Sequence, residues 1–233
     1  MRLTALFLVV AASLGAEERV FPMANALTPE STQEILTILR TTLQLRDVSM
    51  EPGPKVRVGG PDADFGASEW LVHQLDHPVG WQPSEQEVKN PATRDYHGAV
   101  RVYYLPADIS VQSIQETLTI LRTVLDVKKV FHYTQQKALV VADSQPQLEA
   151  IDWLLGAMAE NVPSAPYKLQ PKPDDNLKVF TLAPGAQVGV ILTDLRSRLR
   201  IQKVFPKTNP VMFVVRGKAA ELDAAEKVLG PLK

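Results

Sequence analysis

Leu36-Thr37-Ile38-Leu39-Arg40-Thr41 recurs letter for letter as Leu118-Thr119-Ile120-Leu121-Arg122-Thr123. Upstream, Arg19-Val20-Phe21 precedes the first copy at the spacing by which Arg101-Val102-Tyr103 precedes the second. A third, more diverged copy carries Lys178-Val179-Phe180, then Leu195-Arg196, then Lys203-Val204-Phe205 against Lys129-Val130-Phe131. Tandem small modules without an obvious reaction centre make contacts rather than bonds, which points to a binding or assembly protein.

Working outward from the repeated hexamer, the same signals follow in the same order. Ile114, Leu118, Leu121 and Leu125 lie at i, i+4, i+7 and i+11, one face of a helix. Val188, Leu192, Leu195 and Leu199 repeat that stripe, as do Thr32, Leu36, Leu39 and Leu43. A short strand precedes the helix at Val102–Leu105 and Val179–Leu182. Two more flank Thr134-Gln135-Gln136-Lys137, at Val130–Tyr133 and Ala138–Ala142, where β-branched and aromatic residues predict a hairpin. In the third copy Val211–Val215 is the matching strand, and Pro206 and Pro210 predict an edge position there. Pro52-Gly53-Pro54 makes the turn in the first. A closing helix is expected over Ala67–Leu75, Gln147–Met158 and Ala219–Leu229.

These elements predict an α+β fold of three tandem β-α-β-β-α modules, each a three-stranded sheet with two helices on one face. An ordinary crossover makes the first two strands of each run the same way. The modules span residues 19–76, 101–160 and 178–233, joined by linkers 77–100 and 161–177. The second linker holds Pro163, Pro166, Pro171 and Pro173 and should be extended and stiff. A unit of this size buries only about 60% of its unfolded surface, so neighbouring copies or another protein are expected to cover the rest.

Residues 1–15 read differently. Met1-Arg2 starts positive, Leu3 to Ala12 is a nearly unbroken apolar run, and Ser13-Leu14-Gly15 offers small residues. That is the layout of a secretory signal peptide, with cleavage after Gly15 or Ala16. The run is short of the ~20 residues that span a bilayer, and no later stretch is apolar enough. The expectation is an exported, periplasmic chain with no transmembrane segment once the signal is removed. There is no cysteine, so there is no disulfide, thiolate nucleophile or cysteine-held metal.

Motifs for chemistry are few. His73 and His77 lie four apart around Asp76, a spacing that could set two imidazoles on one helical face, but Pro78 predicts that the helix has ended. A metal-dependent module or enzyme using this region is the rival reading. Asp62 with Asp64, and Asp174 with Asp175, read as solvated loop charges. No Gly-x-Ser-x-Gly elbow or glycine-rich phosphate loop occurs. A formal net charge of −1 and the lack of a Gly-x-x-Gly loop argue against nucleic acid. No catalytic, cofactor-binding or metal-ligating residue is therefore assigned, and no cofactor is expected.

Five residues are candidates for contact with a protein partner. Arg40, Arg122 and Arg196 each follow the central Leu, either as repeated contacts to a carboxylate-bearing partner or as stems packed along the helix with the head in water. Trp81 and Tyr96 lie in the first linker, where no core is expected to take them. Trp70 and Trp153 read as core residues of the closing helices.

The unit resembles the N-terminal periplasmic domains of secretins, the ring-forming outer-membrane channels of secretion and pilus machines. Their repeats run strand, helix with Leu pairs, apolar strand ending in Arg-Gly, then a helix ending near Leu-Asp. Val214-Val215-Arg216-Gly217 with Leu222 and Val228-Leu229 is similar to that closing half. So are Leu71, Leu75 and Asp76 in the first copy and Leu139-Val140-Val141 with Leu148, Ile151 and Leu154 in the second. The resemblance implies a non-enzymatic scaffold working by protein–protein contact, with a secretin, an envelope assembly or its own copies as partner. Nothing after the third copy resembles the secretin pore domain, so channel formation is not expected.

Overall fold

A computed structural model describes residues 17–25, 28–160, 165–172 and 174–230. The signal-like stretch 1–15 lies outside these, as do Pro163 and Pro173 of the second linker. The described elements are, in order, β1 (Glu17–Pro22), α1 (Pro29–Thr42), β2 (Asp47–Glu51), β3 (Lys55–Gly60), α2 (Asp62–Leu75), α3 (Glu85–Lys89) and β4 (Ala92–Asp95). There follow β5 (Ala99–Tyr104), α4 (Val111–Thr123), β6 (Lys129–Tyr133), β7 (Ala138–Asp143), α5 (Gln145–Glu160) and β8 (Tyr167–Lys168). The chain continues with β9 (Asn176–Thr181), α6 (Val188–Thr193), β10 (Val204–Thr208), β11 (Val211–Gly217) and α7 (Ala219–Leu229). The fold is thus mixed α and β, with three antiparallel sheets and seven α-helices among the described residues.

Strand order is β1-β3-β2 in the first sheet, β4-β5-β7-β6 in the second and β8-β9-β11-β10 in the third. Both β1 and β2 run antiparallel to β3, so they run parallel to each other across it. The same relation holds for β5 and β6 about β7, and for β9 and β10 about β11. Only the first sheet has the three strands expected. In the other two the linkers add an edge strand, β4 beside β5 and β8 beside β9. The reason is visible in β5, all six residues of which are buried and would otherwise form an open edge. Arg101 of β5 fixes the added strand by donating from Nε to Thr93 Oγ1 at 2.7 Å.

Local chemistry starts and stops the long helices. Thr28 caps α1 by accepting from the Ser31 amide at 3.1 Å, with Pro29 in the first turn, where its missing N–H is harmless. Ser110 caps α4 in the same way through Ser113. Past their ends, Gln44, Asp126 and Arg200 take left-handed φ values of 58°, 61° and 57°, turning the chain into the following strand. In the third case the α-helix is short, and a π-turn over Asp194–Arg198 completes the stripe to Leu199. Helix α2 begins at Asp62, well before Ala67. Asp62 and Asp64 therefore occupy its first turn rather than a loop, where the helix dipole favours them.

Three cores result. The first unites β1–β3, α1 and α2 with Val100, Val102, Tyr104, Tyr133, Ala138 and Val140 of the second sheet. The second unites the opposite face of that sheet and α4 and α5 with Leu177, Val179, Met212 and Val214 of the third. The last lies between the third sheet's remaining face, at Phe180, Phe213 and Val215, and α6 and α7. Sheets and helix pairs therefore alternate in layers, and the second and third sheets are covered on both faces.

Candidate assembly interface

Among the described residues, one glutamate crosses each joint between these layers. Glu34 of α1 accepts from the Thr134 amide at 2.9 Å and from its hydroxyl at 2.5 Å. Glu116 of α4 does the same with Thr208, at 3.1 and 2.6 Å and through the same pair of oxygens. Both threonines stand where an outer strand, β6 or β10, enters its hairpin turn. Each carboxylate thus pins the following sheet to its helix. Glu34 and Glu116 each precede the repeated hexamer by two residues, so the signal was in the sequence, but only a tertiary partner reveals its use.

The second joint is the drier. Glu116 is 6% exposed and Lys207 is 7% exposed. Burial pushes the Glu116 carboxyl up, but the Thr208 hydroxyl, Gln112, the Thr208 amide and the Lys207 charge outweigh it and hold the group below the usual carboxylate range. Burial lowers the Lys207 ammonium, with Glu116 opposing. The ammonium donates to Ser113 Oγ and the Asn209 carbonyl. Nearby, Arg216 donates to Asp126 Oδ2 at 3.1 Å, to the Val124 carbonyl at 3.2 Å and to Asp175 Oδ2 at 2.9 Å, tying the end of α4 and the connector to β11.

At the first joint, Gln136 donates to the carbonyls of Leu75 and His77, both at 3.0 Å, and so satisfies the end of α2 from the neighbouring sheet. The Trp81 ring stacks on His77 at 3.9 Å and meets Tyr104 edge-on at 4.7 Å. The Tyr96 hydroxyl donates to Asp64 Oδ1, and both aromatics pack on the first core while staying half-buried. The joint supplies the apolar surface that the linker alone lacks.

Arg40, Arg122 and Arg196 make one bond each, always the same. Nη2 donates to the carbonyl of Val48, Val130 and Val204, at 2.8, 2.9 and 2.9 Å. Those valines belong to β2, β6 and β10, the outer strands of the three sheets. In β10 the direction is clear. Lys203 O accepts from Arg216 N of β11, so the next carbonyl, Val204, faces the open edge. Each arginine head remains exposed beyond its single bond.

His73 closes α2, while His77 lies past its end, with ring centroids 6.3 Å apart. Burial, then the neighbouring His73, lowers the His77 imidazole. Among the described residues, no group of three or more His, Cys, Asp or Glu is placed to hold a metal. A groove of about 520 Å³ lies between the start of α1 and β6, lined by Pro29, Glu30, Gln33, Glu34, Phe131 and His132. Among the described residues no helix is long and apolar enough to cross a membrane.

No family model matches the chain, and no curated protein matches it. Solved structures that are similar to it include secretins. ExeD of Aeromonas hydrophila is 16% identical, with 94% of this chain and 41% of that one covered and a TM-score of 0.22. The type II secretion system secretin GspD of E. coli K12 is 11% identical, with 93% and 38% covered and a TM-score of 0.22. The ETEC pilotin–secretin AspS–GspD complex gives 12% identity, 92% and 37% coverage and a TM-score of 0.22. The chain spans about two fifths of the length of the structures it matches.

Proposed function

We propose that this chain is an exported, non-enzymatic scaffold of the cell envelope, built from three copies of one β-α-β-β-α module with the boundaries read from the sequence. It acts by contact with a protein partner, either a secretin-type assembly or further copies of itself. The observation that carries this reading is the double coverage of the second and third sheets. One face takes the module's own helices and the other takes the helices of the module before it. A unit that already mates on two faces suits joining into larger assemblies. The recurring element order, the shared helix-end geometry at Gln44, Asp126 and Arg200, and the paired Glu–Thr contacts support descent from one copy. In this reading the free parts of Arg40, Arg122 and Arg196 and the open faces of Trp81 and Tyr96 are where the partner meets the chain.

Size-exclusion chromatography with light scattering, paired with a pull-down from envelope extract, tests it. The expected result is a defined assembly or recovery of an envelope protein. A monomer that recovers none overturns the proposal.

A further inference from the structure

We infer that one flank of the layered stack is a docking strip for an acidic protein segment. Three eight-residue windows, 40–47, 122–129 and 196–203, hold nine of the chain's 25 Lys and Arg and only two of its 26 Asp and Glu. Each window has the same place in the fold: the end of the helix preceding an outer strand, the left-handed turn, and the approach to or start of that strand. Successive windows share a flank because α1 lies on β6 and α4 lies on β10. Glu34 and Glu116, early in their helices, sit at the far ends of those strands, which leaves the helix ends over the strand starts. At the second joint the windows touch, where Asp126 meets Lys203.

Both acidic side chains in the strip are already engaged, Asp47 by Arg57 and Asp126 by Lys203 and Arg216. Arg46, Lys128 and Arg200 are exposed and make no hydrogen bond or ion pair among the described residues. The strip therefore presents uncompensated positive charge in a chain whose formal net charge is −1, which focuses an attractive field on anions. Its chemistry favours carboxylates at stepped positions. Arg40, Arg122 and Arg196 are each anchored through one Nη2 bond, leaving oriented donors for a bidentate acid. No aromatic residue falls in the windows to stack a base, and their leucines and valines are turned inward, with nothing exposed to wedge into lipid. The strip contains the arginines proposed above as partner contacts and so rests on that reading, but peptide binding is read on single chains, so its failure and a failure to assemble are distinguishable.

Fluorescence anisotropy of a labelled oligoglutamate peptide against the full chain tests it, with anionic phospholipid vesicles and single-stranded DNA as competing probes. The peptide is expected to bind at low ionic strength and to be released by salt. The triple variant Arg46→Ala, Lys128→Ala, Arg200→Ala is expected to bind about tenfold more weakly. A control removing equal charge elsewhere, Lys55→Ala, Lys89→Ala, Lys227→Ala, is expected to bind like the parent. The inference is overturned by no peptide binding at low salt, by equal losses in both variants, or by vesicles or DNA binding through the three residues in the peptide's place.

Discussion

At residue scale, the contrast between Glu34 and Glu116 shows how environment sets the weight of one contact. Both accept two hydrogen bonds from a threonine of the next layer, but Glu116 is buried beside Lys207, whereas Glu34 borders an open groove. Removing a buried acceptor strands its donors, so Glu116→Ala should cost about 2–3 kcal/mol in urea unfolding and Glu34→Ala about 1 kcal/mol. The pH dependence has a definite sign. The folded Glu116 carboxyl lies below its ordinary 4.5. Its contribution is therefore fully present above that value and is lost as pH falls through the lowered one. Stability measured from pH 6 downward should drop more steeply in the parent than in Glu116→Gln, whose side chain does not titrate.

At the scale of elements, the recurrent arginine is an edge device as much as a helix residue. An outer strand offers unpaired backbone groups to any other strand, and a charged side chain lying on one of its carbonyls discourages that pairing. Arg122→Ala should lower stability by only about 1 kcal/mol. Its larger effect should be open-ended association, read as a light-scattering mass that exceeds the parent's and keeps growing with concentration. The helices were legible because their apolar stripes are long and regular. The carbonyl acceptors were not, since residues eight apart meet only once helix and strand have packed. Strands β4 and β8 escaped reading for a related reason. They are short, mostly exposed and without alternation, and they exist because β5 and β9 have an edge to fill. The linker position of Trp81 and Tyr96 was plain, but the surface beneath them belongs to two layers at once.

At the scale of the whole molecule, shared cores make the layers depend on one another. Met212 of the third sheet is fully buried in the core that holds α4 and α5. Met212→Ala should cost about 2–4 kcal/mol and should speed amide hydrogen exchange in those helices as well as in its own sheet. An effect confined to residues 176–230 would show layers that fold separately. The first sheet differs from the others at its centre. Register places Val20, Arg57 and Ser49 side by side there, where the second sheet has Val102, Val140 and Phe131 and the third has Val179, Val214 and Phe205. Arg57 is ringed by Glu18, Asp47 and Glu51, at 2.7, 3.0 and 3.5 Å. This lattice of charge gives the molecule a direction, like a brick glazed on one side. A helix pair from another copy would have to strip water from four ions to seat there. Replacing Arg57 with Val, and its three acids with Thr, should remove the glaze and let chains concatenate head to tail, which analytical ultracentrifugation would register as a ladder of sizes.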